Sequence, residues 1–211
     1  MKFCIALILL GLALISPTHA QAPSNSSILI TGDSLSAEYG LARGTGWVAL
    51  LASRLKQEGS TWDIMNASIS GETTAGGLSR LPKLLSQKKP KLVIIELGAN
   101  DALRGLPLAE TEKNIRTMVE LSKQSGAEVL LIGMQIPPNY GQEYTRQFAA
   151  LFVTIAKSQR VALLPFFLEG VAQRNELFQA DRIHPNEAAQ PILFQNVWNA
   201  LAPFQAQLLK K

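Results

Sequence analysis

Cysteine is nearly missing. Cys4 is the only one in 211 residues. It lies in an N-terminal stretch that reads as a leader, so the rest of the chain has none. Disulfides and thiolate catalysis are thereby excluded for it. Histidine is almost as scarce, with only His19 and His184, and His19 falls in the same leader. Charge is sparse, at 17% of residues with a net +4. The densest basic stretch, Gln87-Lys88-Lys89-Pro90-Lys91, falls between two expected elements. It reads as a solvated loop, and no nucleic-acid surface is expected from it. There is no low-complexity tract, and the 47% hydrophobic content argues against disorder.

The long hydrophobic run at the start, Phe3 to Ile15, is short for crossing a bilayer. With Lys2 before it, Pro17 after it and the small-residue box Thr18-His19-Ala20, it resembles a secretory signal peptide cut between Ala20 and Gln21. A retained membrane anchor is the rival reading. Cys4 stands at the start of the apolar run, not after a cleavage box, so it does not read as a lipoprotein cysteine. The expected organisation is a signal peptide over residues 1–20 and one domain over 21–211. That domain is expected in the periplasm or the medium, with no stable membrane insertion after cleavage. Its length of about 190 residues suits one sizeable core.

Five short apolar runs stand out: Ser27–Thr31, Trp62–Asn66, Leu92–Leu97, Glu128–Gly133 and Val161–Pro165. Each is nearly continuous, as for strands buried on both faces. Helical spacing separates them, in Trp47, Leu50, Leu51 and Leu55, in Leu78, Leu81, Leu84 and Leu85, in Ile115, Met118, Val119 and Ser122, and in Phe148, Leu151, Phe152 and Ile155. A last helix is expected from near Asn186. This βα alternation predicts a three-layer α/β/α sandwich with a five-stranded parallel sheet of the flavodoxin-like kind and right-handed crossovers. Functional residues are then expected just beyond the carboxyl ends of the strands.

The residues found there are chemically suggestive. The first run is followed by Gly32-Asp33-Ser34-Leu35-Ser36, the second by Asn66-Ala67-Ser68-Ile69-Ser70-Gly71, the third by Gly98-Ala99-Asn100-Asp101. Near the end stands Asp181-Arg182-Ile183-His184-Pro185. Taken singly, each has an ordinary reading: a turn at Ser34, a glycine turn at Gly71, an Asx-turn or cap at Asn100. The Gly-x-Ser-x-Gly elbow of α/β-hydrolases is absent around Ser34. Together they supply the parts of acyl transfer. A serine hydroxyl needs an adjacent base, and histidine titrates in the right range. Asp181, three residues before His184, can curl back to its Nδ1 and leave Nε2 facing Ser34. The backbone N–H groups of Ser34 and Gly71 and the Asn100 amide can receive an oxyanion.

At these residues the chain resembles the SGNH (GDSL) hydrolases, whose blocks appear in order at Ser34, Gly71, Asn100 and Asp181-x-x-His184. Further segments, Leu103-Arg104-Gly105, Pro138-Asn139-Tyr140-Gly141 and Leu163-Leu164-Pro165-Phe166-Phe167, are similar to the multifunctional periplasmic thioesterase/arylesterase/lysophospholipase subgroup. The resemblance runs from about Ile28 to Ala202. It implies a Ser34–His184–Asp181 triad, an oxyanion hole of Ser34, Gly71 and Asn100, no metal and no cofactor, and a monomer. It also implies short- to medium-chain acyl esters and thioesters as substrates, with aryl esters and lysophospholipids. Leu103, Leu106, Leu108, Ile136 and Pro137 are the candidate acyl contacts. Ala99 and Ala102 stand where the subgroup usually has glycine, in a segment, Asp101 to Pro107, that resembles a mobile substrate loop. The alternatives are a carbohydrate acetylesterase using the same triad and a non-catalytic exported α/β binding module.

Overall fold

The computed structural model describes residues 26–210. The expected leader lies outside them. The five runs form β1 (Ser27–Gly32), β2 (Asp63–Asn66), β3 (Leu92–Glu96), β4 (Glu128–Ile132) and β5 (Ala162–Leu164). They pair in parallel in the order β2-β1-β3-β4-β5. The helices are α1 (Trp47–Gln57), α2 (Thr74–Lys88), α3 (Ala99–Leu103), α4 (Leu108–Gln124), α5 (Gln142–Gln159), α6 (Gln190–Ala200) and α7 (Gln205–Leu208). Right-handed crossovers send α1 to one face and α2, α4 and α5 to the other. The contacts agree: α1 packs on α6, while α4 packs between α2 and α5.

Burial explains the apolar runs. Ile28, Leu29, Ile30, Val93, Ile94, Ile95 and Leu130 are fully buried, because β1, β3 and β4 have a strand on each side and helices on both faces. Covering one such side chain stabilises the fold by about 1.5–3 kcal/mol. Trp47 seats its ring edge-on to Phe167, centroids 5.7 Å apart, and Phe148 meets Phe152 the same way at 5.3 Å.

Two local features depart from the expectation. β2 and β5 are edge strands and are not sealed on both faces; Asp63 and Asn66 are exposed. After β1 the chain makes a turn over residues 34–40, and α1 begins at Trp47, where the helical spacing starts. The short α3 follows β3 at once, and five residues are too few for periodicity to reveal. The last helix does start where expected: the Asn186 side chain accepts the Ala188 N–H and caps a 3-10 turn that runs into α6.

Gly133, just past β4, closes the sheet end. Its N–H donates to the Leu164 carbonyl at 2.7 Å, and its own carbonyl accepts the Phe167 N–H at 2.9 Å. A Cβ there would lie 2.4 Å from the Pro165 carbonyl oxygen, and backbone cannot yield as a side-chain tip can. Gly133→Ala should therefore cost about 2 kcal/mol, within the usual range for overpacking, read as a lowered urea midpoint at unchanged slope. A loss below about 0.5 kcal/mol would mean that β4 and β5 part freely at this end.

Candidate active site

In this strand order the chain direction across the sheet reverses between β1 and β3, and the crevice beyond their carboxyl ends is the natural ligand position. Ser34 follows β1 and Asn100 follows β3, so they face each other across that crevice. Ser34 lies half-buried in the turn after β1. Its Oγ is 2.9 Å from His184 Nε2, placed to donate its proton there.

His184 comes from the loop before α6. Its Nδ1 is 2.7 Å from Asp181 Oδ2. Asp181 Oδ1 accepts the backbone N–H groups of Ile183 and His184 at 2.9 and 3.0 Å. This tight turn requires Arg182 at φ +58°, an uncommon conformation for a non-glycine residue. The two backbone donors, with the imidazole, hold the Asp181 carboxyl down at about 2. It is thus ionised throughout ordinary pH and fixes the proton of His184 on Nδ1. Gln179 braces the loop: its N–H donates to the His184 carbonyl at 2.8 Å and its amide to the carbonyls of Tyr39 and Pro185.

Ser34, Gly71 and Asn100 are the three expected oxyanion donors. The backbone N–H groups of Ser34 and Gly71 donate to no partner among the described residues, which leaves them open. The Gly71 carbonyl is held by Arg104 Nη2 at 2.9 Å. Asn100 Nδ2 donates to Asp33 Oδ2 at 3.0 Å, and one amide N–H remains. Gly98 starts this segment at φ +119°, with the rings of Phe148 and Phe152 behind it at 3.5 and 3.4 Å from a notional Cβ. The positive φ is what calls for glycine there, since those ring distances are ordinary contacts.

The candidate acyl contacts separate. Leu106 and Pro137 are exposed. Leu103 and Leu108 are half-buried against the core. Ile136 is buried in it, so its surface already meets protein neighbours. Ala102 is fully buried within α3 and Ala99 is partly buried against the core. Alanine stabilises a helix by about 1 kcal/mol over glycine at an interior position, so Ala102 favours an ordered α3. The Tyr144 hydroxyl further pins this segment by donating to the Leu106 carbonyl at 3.1 Å. Two open clefts lie elsewhere, one near the amino ends of the strands around Trp62, Lys91 and Glu128, the other between β5 and α6.

Other residues of the site escaped the sequence reading. Tyr39 lies with its ring centroid 4.4 Å from that of His184, and nothing in the pattern around it signals this. Asp101 is buried and accepts the Thr74 N–H at 2.8 Å and its hydroxyl at 2.5 Å, tying α3 to the start of α2. Glu96 did carry a signal: it is an acid inside an otherwise apolar run. It is buried beneath the Ser34 turn and accepts from the Asp33 N–H at 3.2 Å and the Ser36 hydroxyl at 2.7 Å.

Residues 30–191 match the GDSL-like lipase/acylhydrolase family. The chain belongs to that family. It is 48% identical over 200 residues to esterase TesA of Pseudomonas aeruginosa, covering 95% of each chain. It is 42% identical over 183 residues to thioesterase 1/protease 1/lysophospholipase L1 of Escherichia coli K12, covering 87% of this chain and 86% of that one. Among solved structures it is similar to the psychrotrophic esterase EstA from Pseudoalteromonas, inhibited by monoethylphosphonate. The TM-score is 0.82 at 41% identity, over 86% of this chain and 99% of that one. The five-stranded parallel α/β architecture expected from the strand pattern is the architecture of these GDSL-family structures.

Two buried acids of this family member have titrations that reach its stability. Burial pushes the Asp33 carboxyl up from 3.8 to about 6, against the opposing pull of the Leu35 N–H, His184 and the Asn100 amide. Burial, and then the Asp33 charge, push Glu96 well above the usual range. Between about pH 4 and 6 the folded chain therefore holds protons that the unfolded chain has released, and stability rises as pH falls through that window. Asp181, held low, opposes this only as pH falls further toward 2. The urea midpoint should accordingly be higher at pH 5 than at pH 8, and Asp33→Asn should flatten the difference. A midpoint that falls from pH 8 to 5 would contradict this assignment.

Proposed function

We propose that this GDSL-family chain hydrolyses carboxylic esters and thioesters of short- to medium-chain acyl groups through an acyl-enzyme on Ser34. The enzyme is a carboxylic-ester hydrolase. One observation carries the site reading: the continuous relay from Ser34 Oγ to His184 Nε2 at 2.9 Å and from His184 Nδ1 to Asp181 Oδ2 at 2.7 Å. The names of the similar proteins, esterase and thioesterase/lysophospholipase, support the same chemistry.

Ser34 Oγ attacks the acyl carbonyl as His184 Nε2 takes its proton. The imidazolium that forms is stabilised by ionised Asp181. The carbonyl oxygen becomes an oxyanion and receives the N–H groups of Ser34 and Gly71 and the free N–H of Asn100. Such donors are worth roughly 3–4 kcal/mol each in barrier height because they are fixed before reaction. Collapse of the tetrahedral adduct breaks the ester or thioester bond. His184 returns the proton to the leaving alcohol, phenol or thiol. Water then attacks the acyl-Ser34 ester with His184 again as base, and the free acid leaves. The exposed apolar side chains of Tyr39, Ile69, Leu106 and Ile183 stand on the loops around this crevice. An open, apolar-rimmed edge suits acyl and aryl groups of varied length and the acyl chain of a lysophospholipid.

We further propose that residues 1–20 act as a signal peptide and that residues 21–211 work as one monomeric domain in the periplasm or medium. No described helix is long and apolar enough to cross a membrane.

An esterase panel over acyl length and leaving group tests this. Ser34→Ala and His184→Ala should each lower kcat by at least about 10³-fold while retaining the wild-type melting transition. An activated ethyl phosphonate ester should add one phosphonyl group to wild type and none to Ser34→Ala. Near-normal turnover in His184→Ala would remove His184 as the base. A wild-type chain inert to every ester and to the phosphonate would favour a non-catalytic binding module.

A further inference from the structure

The turn that carries Ser34 rests on two buried acids that the triad does not use. Asp33 is 1% exposed and Glu96 is 2% exposed. Neither makes an ion pair with a lysine or arginine among the described residues. Their hydrogen bonds separate their roles. Asp33 Oδ1 accepts the Leu35 N–H at 3.0 Å and Oδ2 accepts the Asn100 amide at 3.0 Å. Each oxygen thus faces an N–H, which can donate but cannot accept, and a proton on either would face a donor. This pattern calls for a carboxylate. Glu96 instead takes the Asp33 N–H and the Ser36 hydroxyl on one oxygen, Oε2, which leaves Oε1 to carry a proton. Two adjoining buried carboxylates with no cation between them would repel strongly. Even Gly32 conforms to this arrangement, since a Cβ there would lie 2.7 Å from Glu96 Oε2.

We propose that at neutral pH Asp33 and Glu96 are positioning residues that hold one proton between them, with Glu96 neutral and Asp33 ionised, and that Asp33 fixes the Asn100 amide so that its second N–H is presented to the oxyanion. The inference rests on the reading of Ser34 as nucleophile. Glu96 sets the turn from below by holding the N–H of Asp33 and the hydroxyl of Ser36, on either side of Ser34. Asp33 sets the donor opposite. One buried device thereby aligns the attacking oxygen and a group that receives the charge it creates.

The test uses the full chain, an activated acyl ester and the phosphonate. Asparagine offers one acceptor where Asp33 offers two, so Asp33→Asn leaves either Leu35 or Asn100 facing a donor. It should lower kcat at least about tenfold with KM within about threefold, as loss of an interaction made in the transition state does. In an Asn100→Ala background the same change should lower kcat less than about threefold, because the group through which Asp33 acts is gone. Glu96→Gln keeps an acceptor oxygen without a charge and should recover most of the kcat that Glu96→Leu loses. Additive losses for Asp33→Asn and Asn100→Ala, or Glu96→Gln as damaging as Glu96→Leu, would overturn the proposal. Should Asp33→Asn not fold, the two Glu96 variants decide alone. Absence of phosphonate on wild-type Ser34 is a separate outcome; it would sink the nucleophile assignment on which the proposal stands.

Discussion

The ladder between β1 and β3 runs in register from Ile28 opposite Leu92 to Gly32 opposite Glu96. Everything at the site follows from that pairing. It ends both strands at one level, so the chain leaving β1 delivers Asp33 and Ser34 beside the chain leaving β3, which delivers Gly98 and Asn100. The crossovers that keep all five strands parallel then place the Gly71 turn and the His184 loop at the same edge. A slip of one residue along β1 would turn its buried side chains to the opposite face and carry Ser34 away from Asn100. The fully buried residues of β1 and β3 make such a slip costly, so the core specifies the geometry of the edge.

The edge itself is built from polar groups, of which Asp33 and Asp101 are buried and would be expensive to bury alone. Each is satisfied by a neighbour that also has a place in the site. Asp181 takes two backbone N–H groups and the imidazole. Asp33 takes a backbone N–H and the Asn100 amide. Asp101 takes the first N–H and hydroxyl of α2. The N–H groups of Ser34 and Gly71 donate to no partner among the described residues, and they are the donors proposed for the oxyanion. The site is thus nearly complete before substrate arrives, in keeping with catalysis that relies on fixed donors rather than on rearrangement.

The segment after β3 shows how a small change of side chain bears on this edge. Ala99 and Ala102 pack within α3, and the Tyr144 hydroxyl ties down the Leu106 carbonyl. Alanine disfavours the conformations that glycine would allow. This segment beside the crevice is therefore held more firmly by this sequence than glycines at those two positions would hold it.

Much of this was legible in the chain itself. Continuous apolar runs of β-forming residues, alternating with helical spacing, determined a parallel α/β/α sandwich, because only strands covered on both faces need such runs. The short spacing between Asp181 and His184 determined their pairing, because it is a local turn. The contact of Ser34 with His184 spans 150 residues, and only the tertiary structure decides it. So does the tilted contact of the Tyr39 ring with His184, which no local pattern encodes. Glu96 stands between these cases: an acid in a buried strand was visible, but its partner could not be named until the β1–β3 register set it under the turn of Ser34. Sequence by itself determined what is decided over a few residues or by periodic burial. Which distant side chains meet at the edge of the sheet was decided by strand register and crossover, because those alone fix distances between residues far apart in the chain.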